Sequence, residues 1–239
     1  MKWFPAYAVL LIAANLAAAQ QPGDGVAPAA NPRPFFVVLD PAHGGTDTGA
    51  RLADHLLEKD LTLSLSIRLR SALTERGMTV VVTRESDVSL APVERAEAAN
   101  HNPAAACIVL HATSAGSGVH LFTSSLAPTP QTRFLPWETA QSASAQQSVR
   151  LASEVNAALA SAEIPVTLGR TSLQPLDSLA CPAVAVELAP LAASAGQKAE
   201  AISDPGYQAK IIAAIADAIG RWKVQRGQQP QESRPDNKP

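Results

Sequence analysis

Asp40, His43, Glu58, His111 and Glu187 are the residues of this chain whose types and placement could do chemistry. Asp40 and His43 follow the apolar run Phe35–Leu39 (FFVVL), His111 ends Ala105–Leu110 (AACIVL), and Glu187 ends Ala183–Val186. Glu58 opens the segment after the glycine-rich loop PAHGGTDTGA. An imidazole or carboxylate ending a buried strand is unusual, because burial without a partner is costly. Two imidazoles and one carboxylate suit a hydrolytic zinc ion, whose three protein ligands leave one position for water. The retained positive charge lowers the pKa of that water towards ~7. His43, Glu58 and His111 supply such a set. Glu187 is then left as a general base that takes the water proton and returns it to a leaving amine. Glycines beside His43 let the backbone bend around a metal without a Cβ clash. Taken singly, each residue has a simpler explanation; a glutamate opening a helix, for instance, complements the macrodipole. The four together point to a metal hydrolase.

These groups converge only if their strands are neighbours running the same way. Between Lys59 and Arg76, Leu61, Leu65, Leu69 and Leu73 recur at every fourth position, which predicts an amphipathic helix capped by Gly77. Met78–Thr83 and Gly118–Thr123 read as strands, and Val93–Asn100 as a short helix. Ser124–Gln147 is rich in Ser, Pro and Gln and reads mostly as loop. A helix over Ser148–Ala162 follows, through Val149, Ala152, Val155 and Leu159, then a weak strand at Leu173–Leu176. Asp204 and Pro205 start a closing helix over Tyr207–Trp222. Strands alternating with helices predict an α/β fold: a mostly parallel or mixed sheet with helices on both faces. Ligands bind such sheets beyond the carboxyl ends of the strands.

Composition narrows the function. Of 239 residues, 17% are charged and 46% apolar, which excludes a disordered polyelectrolyte and a multi-pass membrane protein. Aromatic residues are few, so the core must be built from Ala, Val, Leu and Ile. Lys+Arg 19 against Asp+Glu 21 gives a net charge of -2, with no basic surplus to hold nucleic acid. Residues 1–19 read as a signal peptide: Lys2, the apolar stretch Tyr7–Leu16, and a small-residue cleavage site at Ala17–Ala19. The apolar run is too short to span a bilayer, so no membrane span is expected after cleavage. Residues 20–34 read as a flexible leader, 35–223 as the catalytic domain, and 224–239 as a disordered tail.

The run Val38-Leu39-Asp40-Pro41-Ala42-His43-Gly44-Gly45, with Asp47, Gly49 and Glu58-Lys59, resembles the "DPGHGG…EK" opening of the zinc-dependent N-acetylmuramoyl-L-alanine amidases, the type-3 peptidoglycan amidases. The likeness continues in order through Gly77, Val82-Thr83-Arg84, Asp87, Arg95, Ala99-Asn100, Ile108–His111, Pro182–Glu187 and Asp204-Pro205. It covers about Phe35–Arg221. The resemblance implies a single domain with a largely parallel sheet of about six strands. It makes His43, Glu58 and His111 the ligands of Zn2+ and Glu187 the catalytic carboxylate, with Asp47 and Asn100 as supporting or structural residues. The implied substrate is peptidoglycan, cut between N-acetylmuramic acid and L-alanine. The protein is then exported, periplasmic or extracellular, and acts as a monomer with no named activator. The sequence departs from the family pattern at Ala42, Thr113 and Leu188–Ala192.

Two rivals stay open: an inactive peptidoglycan-binding module, and a zinc peptidase or deacetylase on the same scaffold. His55 and His101 fall in expected loops, while His120 lies on a strand close to His111. Cys107 and Cys181 are expected at different depths, as small buried residues rather than a disulfide. Phe134 and Trp137 read as apolar anchors of the 124–147 loop, the alternative being a lid over the site.

Overall fold

The computed structural model describes Met1 and residues 34–130, 135–193 and 198–228. The expected signal peptide and leader lie outside the described residues except for Met1 and Pro34, and so does the end of the expected tail, 229–239. The chain divides into two units, Met1–Arg33 and Pro34–Pro239, and all described elements belong to the second.

Phe36–Pro41 (β1) is followed by a small hairpin, Arg51–Ala53 (β2) and Leu56–Leu57 (β3), which leads into helix Glu58–Glu75 (α1). Thr79–Val82 (β4), Pro92–Asn100 (α2), Ala106–Ala112 (β5) and Val119–Ser124 (β6) come next. Then follow Ala145–Ser161 (α3), Val166–Thr171 (β7), Ala183–Leu188 (β8) and Pro205–Gln228 (α4). Six strands form one mixed sheet in the order β4-β1-β5-β8-β6-β7. The pairs β4/β1, β1/β5, β5/β8 and β6/β7 are parallel, and β8/β6 is antiparallel.

The period-two alternation of strands sorts the side chains onto two faces. Val37, Leu39, Ile108, Leu110, Val184 and Val186 face a core shared with α1, α3 and α4. Leu61, Leu65, Leu69 and Leu73 all lie in that core, as their spacing requires. Val38, Cys107, Val109, Ala183 and Ala185 face the opposite side, against Ala99 of α2 and the segment Leu176–Cys181. By the same alternation Asp40, His111 and Glu187 belong to this second side. The expectation of helices on both faces holds.

Several local readings are corrected. Cys107 and Cys181 form a disulfide with Cα atoms 6.0 Å apart. Cys181 is not in β8 but in the bend before it, where Cys107 N–H donates to the Pro182 carbonyl, so counting along a straight strand misplaced its depth. The expected strand Leu173–Leu176 is instead the approach to a 3-10 turn at Leu176–Ser178; Pro175 has no N–H to give to a ladder. The strand at this position in the sheet is β7, an exposed edge whose pattern carries little alternation. Within the expected loop 124–147, Trp137–Ala143 is a 3-10 helix. Gln141 is fully buried there, its Nε2 donating to the carbonyls of Leu179 and Cys181 at 2.7 and 3.0 Å. Phe134 lies outside the described residues, and Trp137 lines a groove with Val93, Glu97 and His101. Val149 is exposed, and Leu151 takes the inner face of α3. Helix α4 begins as expected, with Tyr207 N–H donating to Asp204 Oδ1 at 2.8 Å. It runs to Gln228, so 224–228 are helical rather than tail. Among the described residues, no helix is long and apolar enough to cross a membrane.

Candidate metal and catalytic site

His43 sits in the loop between β1 and β2 with φ +64°, a left-handed conformation rare for a non-glycine residue. Gly44 and Gly45 continue at +132° and +60°, and Ala42 needs no positive φ, which answers the departure from glycine there. Such a loop holds only if its surroundings dictate it. Two buried arginines do so. Arg84 donates from Nε to the Pro41 carbonyl and from Nη2 to the Ala42 and Lys59 carbonyls, at 2.8–2.9 Å. Arg95 donates to the Pro41 carbonyl at 2.8 Å and to the His43 carbonyl at 2.6 Å, and its Nη1 pairs with Asp40 at 2.8 Å. Lys59 joins the Gly45 carbonyl to Asp87, whose other oxygen accepts the Gly45 N–H.

Glu58 stands at the start of α1, only 5% exposed, because its N–H is held by the Ala50 carbonyl across the small hairpin. One carboxylate oxygen lies 3.1 Å from His43 Nε2, the other 2.9 Å from His111 Nδ1. The N–H groups of Ala50 and Ala112 donate to the same carboxylate. Burial raises the Glu58 carboxyl, but the bonds from His111, His43 and the two backbone N–H groups outweigh it and hold the group well below the usual carboxylate range. The bond to Glu58 raises the His43 imidazole against the opposing effect of burial. Asp47 lies 2.8 Å from His43 Nδ1, and that bond lowers its own carboxyl. Gly49 closes the pocket: a Cβ there would lie 2.6 Å from both Glu58 Oε2 and His43 Cδ2.

His43, Glu58 and His111 therefore offer one ligand atom each within 4.8 Å of one another. Two imidazoles and a carboxylate are the donor types of a borderline divalent ion, and the side chains fit one. His111 Nε2 is buried without a hydrogen-bond partner among the described residues, so no protein group claims that ring nitrogen. Glu187 is the register partner of His111 on β8. It adjoins the triad and keeps its side chain 30% exposed.

The sequence-predicted residues divide cleanly. His43, Glu58 and His111 come together, Glu187 lies beside them, and Asp47 supports His43. Asp40 does not join the set; it is buried against Arg95 and Thr83. Asn100 is structural, bridging the Ser178 carbonyl and the Ala180 N–H. His55 and His101 are exposed, as expected. Sequence reasoning gave no role to Arg84 and Arg95, because arginines flanked by Glu85 and Glu94 read as surface charge until their burial is known. It set His120 aside, and His120 turns out to bond Glu187.

Residues 37–221 match the family model described as N-acetylmuramoyl-L-alanine amidase. A germination-specific N-acetylmuramoyl-L-alanine amidase of Bacillus subtilis is 53% identical over 57 residues, 24% of this chain and 24% of that protein. The N-acetylmuramoyl-L-alanine amidase AmiC of Escherichia coli is 37% identical over 93 residues, 38% of this chain and 21% of that one. The matches thus span only about a quarter of these curated relatives' length. Among solved structures, the catalytic domain of CwlV from Bacillus (Paenibacillus) polymyxa superposes with a TM-score of 0.62 at 21% identity, covering 80% of this chain and 98% of that one. Ami1 from Mycobacterium smegmatis gives 0.62 at 22%, covering 80% and 97%. These likenesses show the fold.

Proposed function

The chain belongs to the N-acetylmuramoyl-L-alanine amidase family, and from that membership we propose that it hydrolyses the amide between N-acetylmuramic acid and L-alanine in peptidoglycan. The observation that carries this reading is the convergence of His43, Glu58 and His111 within 4.8 Å, with Glu187 in register beside His111. His43, Glu58 and His111 would hold a zinc ion. When bound, the ion supplies Lewis acidity that polarises the scissile carbonyl and makes a nearby water acidic.

The chain's own residues do the rest. Asp47 orients the His43 ring, and the arginine-held loop fixes its position. Glu187 accepts a proton from water as the water oxygen bonds to the lactyl carbonyl carbon. The C–N bond then breaks, and Glu187 passes the proton to the departing nitrogen. The products are a free lactyl carboxyl group and a stem peptide beginning at L-alanine. Export through residues 1–19 fits a substrate outside the cytoplasm. The Cys107–Cys181 bond supports that reading, since disulfides persist in oxidising compartments.

Digesting purified murein and identifying the products by mass spectrometry tests the proposal. Free stem peptides starting at L-alanine are expected. Binding with no released product would favour the inactive module, and cleavage elsewhere would favour a peptidase or deacetylase. Glu187→Ala should abolish release while keeping the metal, and His43→Ala should lose both.

A further inference from the structure

Glu187 has a neighbour on each side. It is paired in register with His111 of β5 and with His120 of β6. Because β6 runs antiparallel to β8, its amino-terminal end lies at the edge where β5 and β8 end. Register partners project to the same face. His111, Glu187 and His120 therefore form a row across three adjacent strands.

His120 Nδ1 lies 2.7 Å from Glu187 Oε2. An ionised carboxylate has no proton to give, so the imidazole is the donor and its Nδ1 carries the hydrogen. Among the described residues, Glu187 Oε1 takes no hydrogen bond. The ring itself is held. A Cβ at Gly116 would lie 2.5 Å from His120 Cε1 and 2.7 Å from Nε2, so only a glycine there admits the imidazole. Gly116 has φ +85°, which glycine adopts freely. Phe122 meets the ring edge-on, with centroids 6.4 Å apart. His120 is the less exposed of the pair, 16% against 30%. It stands behind the carboxylate.

We propose that His120 is a positioning residue for Glu187, holding Oε2 so that Oε1 faces the water it deprotonates. The role rests on the reading of Glu187 given above. A carboxylate hinged at one oxygen keeps one degree of freedom; one left free explores rotamers in which the base points away from the reacting atoms. Small misplacements of a reacting group are costly.

The test uses the full-length, metal-loaded protein on murein. His120→Ala should lower kcat by about 10–100-fold, the usual effect of losing an orienting partner. KM and the metal dissociation constant should stay unchanged, because a positioning residue acts on the reaction only through Glu187. His120→Asn places an amide N–H near the lost Nδ1 position and should recover most of the rate. Gly116→Ala should reproduce the kcat loss in the wild type, and add no further loss to His120→Ala. A wild-type kcat in His120→Ala, a metal affinity that falls with the rate, or an Asn variant no better than Ala would each overturn the inference. A wild type that releases no stem peptides refutes the amidase reading and takes this one with it. An active wild type indifferent to His120 refutes this one alone. Melting temperatures of the variants separate a folding defect from a loss of positioning, and His120→Asn keeps the test alive if the alanine variant unfolds.

Discussion

Arg95 donates to the carbonyl of His43 at 2.6 Å across 52 residues of sequence. The same guanidinium holds Asp40 and the Pro41 carbonyl, so one buried side chain fixes both ends of the turn that presents the imidazole. Replacing it with methionine leaves Asp40 buried with the Thr83 hydroxyl but without its charge partner, a loss on the order of 3–5 kcal/mol. Arg95→Lys keeps the charge near Asp40 but not the planar fork, so it should recover stability more than site geometry. The expected outcome is a lysine variant with a near-normal urea midpoint and metal affinity lowered about 10-fold or more. Chelator competition beside urea unfolding checks both. Wild-type affinity in Arg95→Lys would mean that the fork does not position His43.

Gly49 makes a second prediction about the same pocket. It has φ +62°, and a Cβ would press on Glu58 Oε2 and His43 Cδ2 at 2.6 Å. Gly49→Ala should cost about 1–2 kcal/mol in backbone strain and also push two of the three ligands apart. Gly220 is the control: it lies within α4 with nothing inside 4 Å of a built Cβ. Gly220→Ala should be neutral or stabilise by up to about 1 kcal/mol. Metal binding by both variants decides it. Equal affinities would show that the pocket around Glu58 tolerates a methyl group.

What the sequence revealed, and what it hid, follows from where the physics is local. The spacing of Leu61, Leu65, Leu69 and Leu73 specifies a helix and its buried face without reference to anything else. The ends of β1, β5 and β8 were legible because a polar group after an apolar run is anomalous on its own. β7 was hidden because an exposed edge strand has little alternation to read. Trp137–Ala143 was hidden because Gln141 looks like a loop residue until its partners, the carbonyls of Leu179 and Cys181 before β8, are known. The disulfide depended on a bend at Cys181 that no periodicity signals. The role of His120 required knowing that β6 pairs with β8 in reverse.

The Cys107–Cys181 bond closes a separation of 74 residues. A loop of that length constrains the unfolded chain by about 4 kcal/mol in the chain-entropy account. Cys107 precedes His111 by four residues on β5, about 13 Å along a strand. Reduction should therefore lower stability and leave the site alone. The double variant Cys107→Ser, Cys181→Ser should melt well below the wild type in scanning calorimetry, with kcat unchanged while it stays folded. A large fall in kcat below the melting range would show that the segment before β8 also shapes the site.

Tyr207 supplies a dependence on alkaline pH. Its hydroxyl is buried and donates to the Ala189 carbonyl at 3.0 Å. Burial pushes the phenol up to about 12 from its ordinary value near 10. The folded protein thus keeps the proton over a range in which the unfolded chain gives it up. The stabilisation is complete below pH 10 and is lost as the pH climbs towards 12, amounting to at most about 3 kcal/mol. Lysines titrate in the same range, so the comparison that isolates Tyr207 is Tyr207→Phe. That variant should lose about 1 kcal/mol at neutral pH from the unpaired carbonyl. Its stability should then fall less steeply than the wild type's between pH 10 and 12. Urea unfolding at half-unit pH steps measures both curves, and parallel curves would mean that Tyr207 ionises as readily in the folded protein as in the unfolded chain.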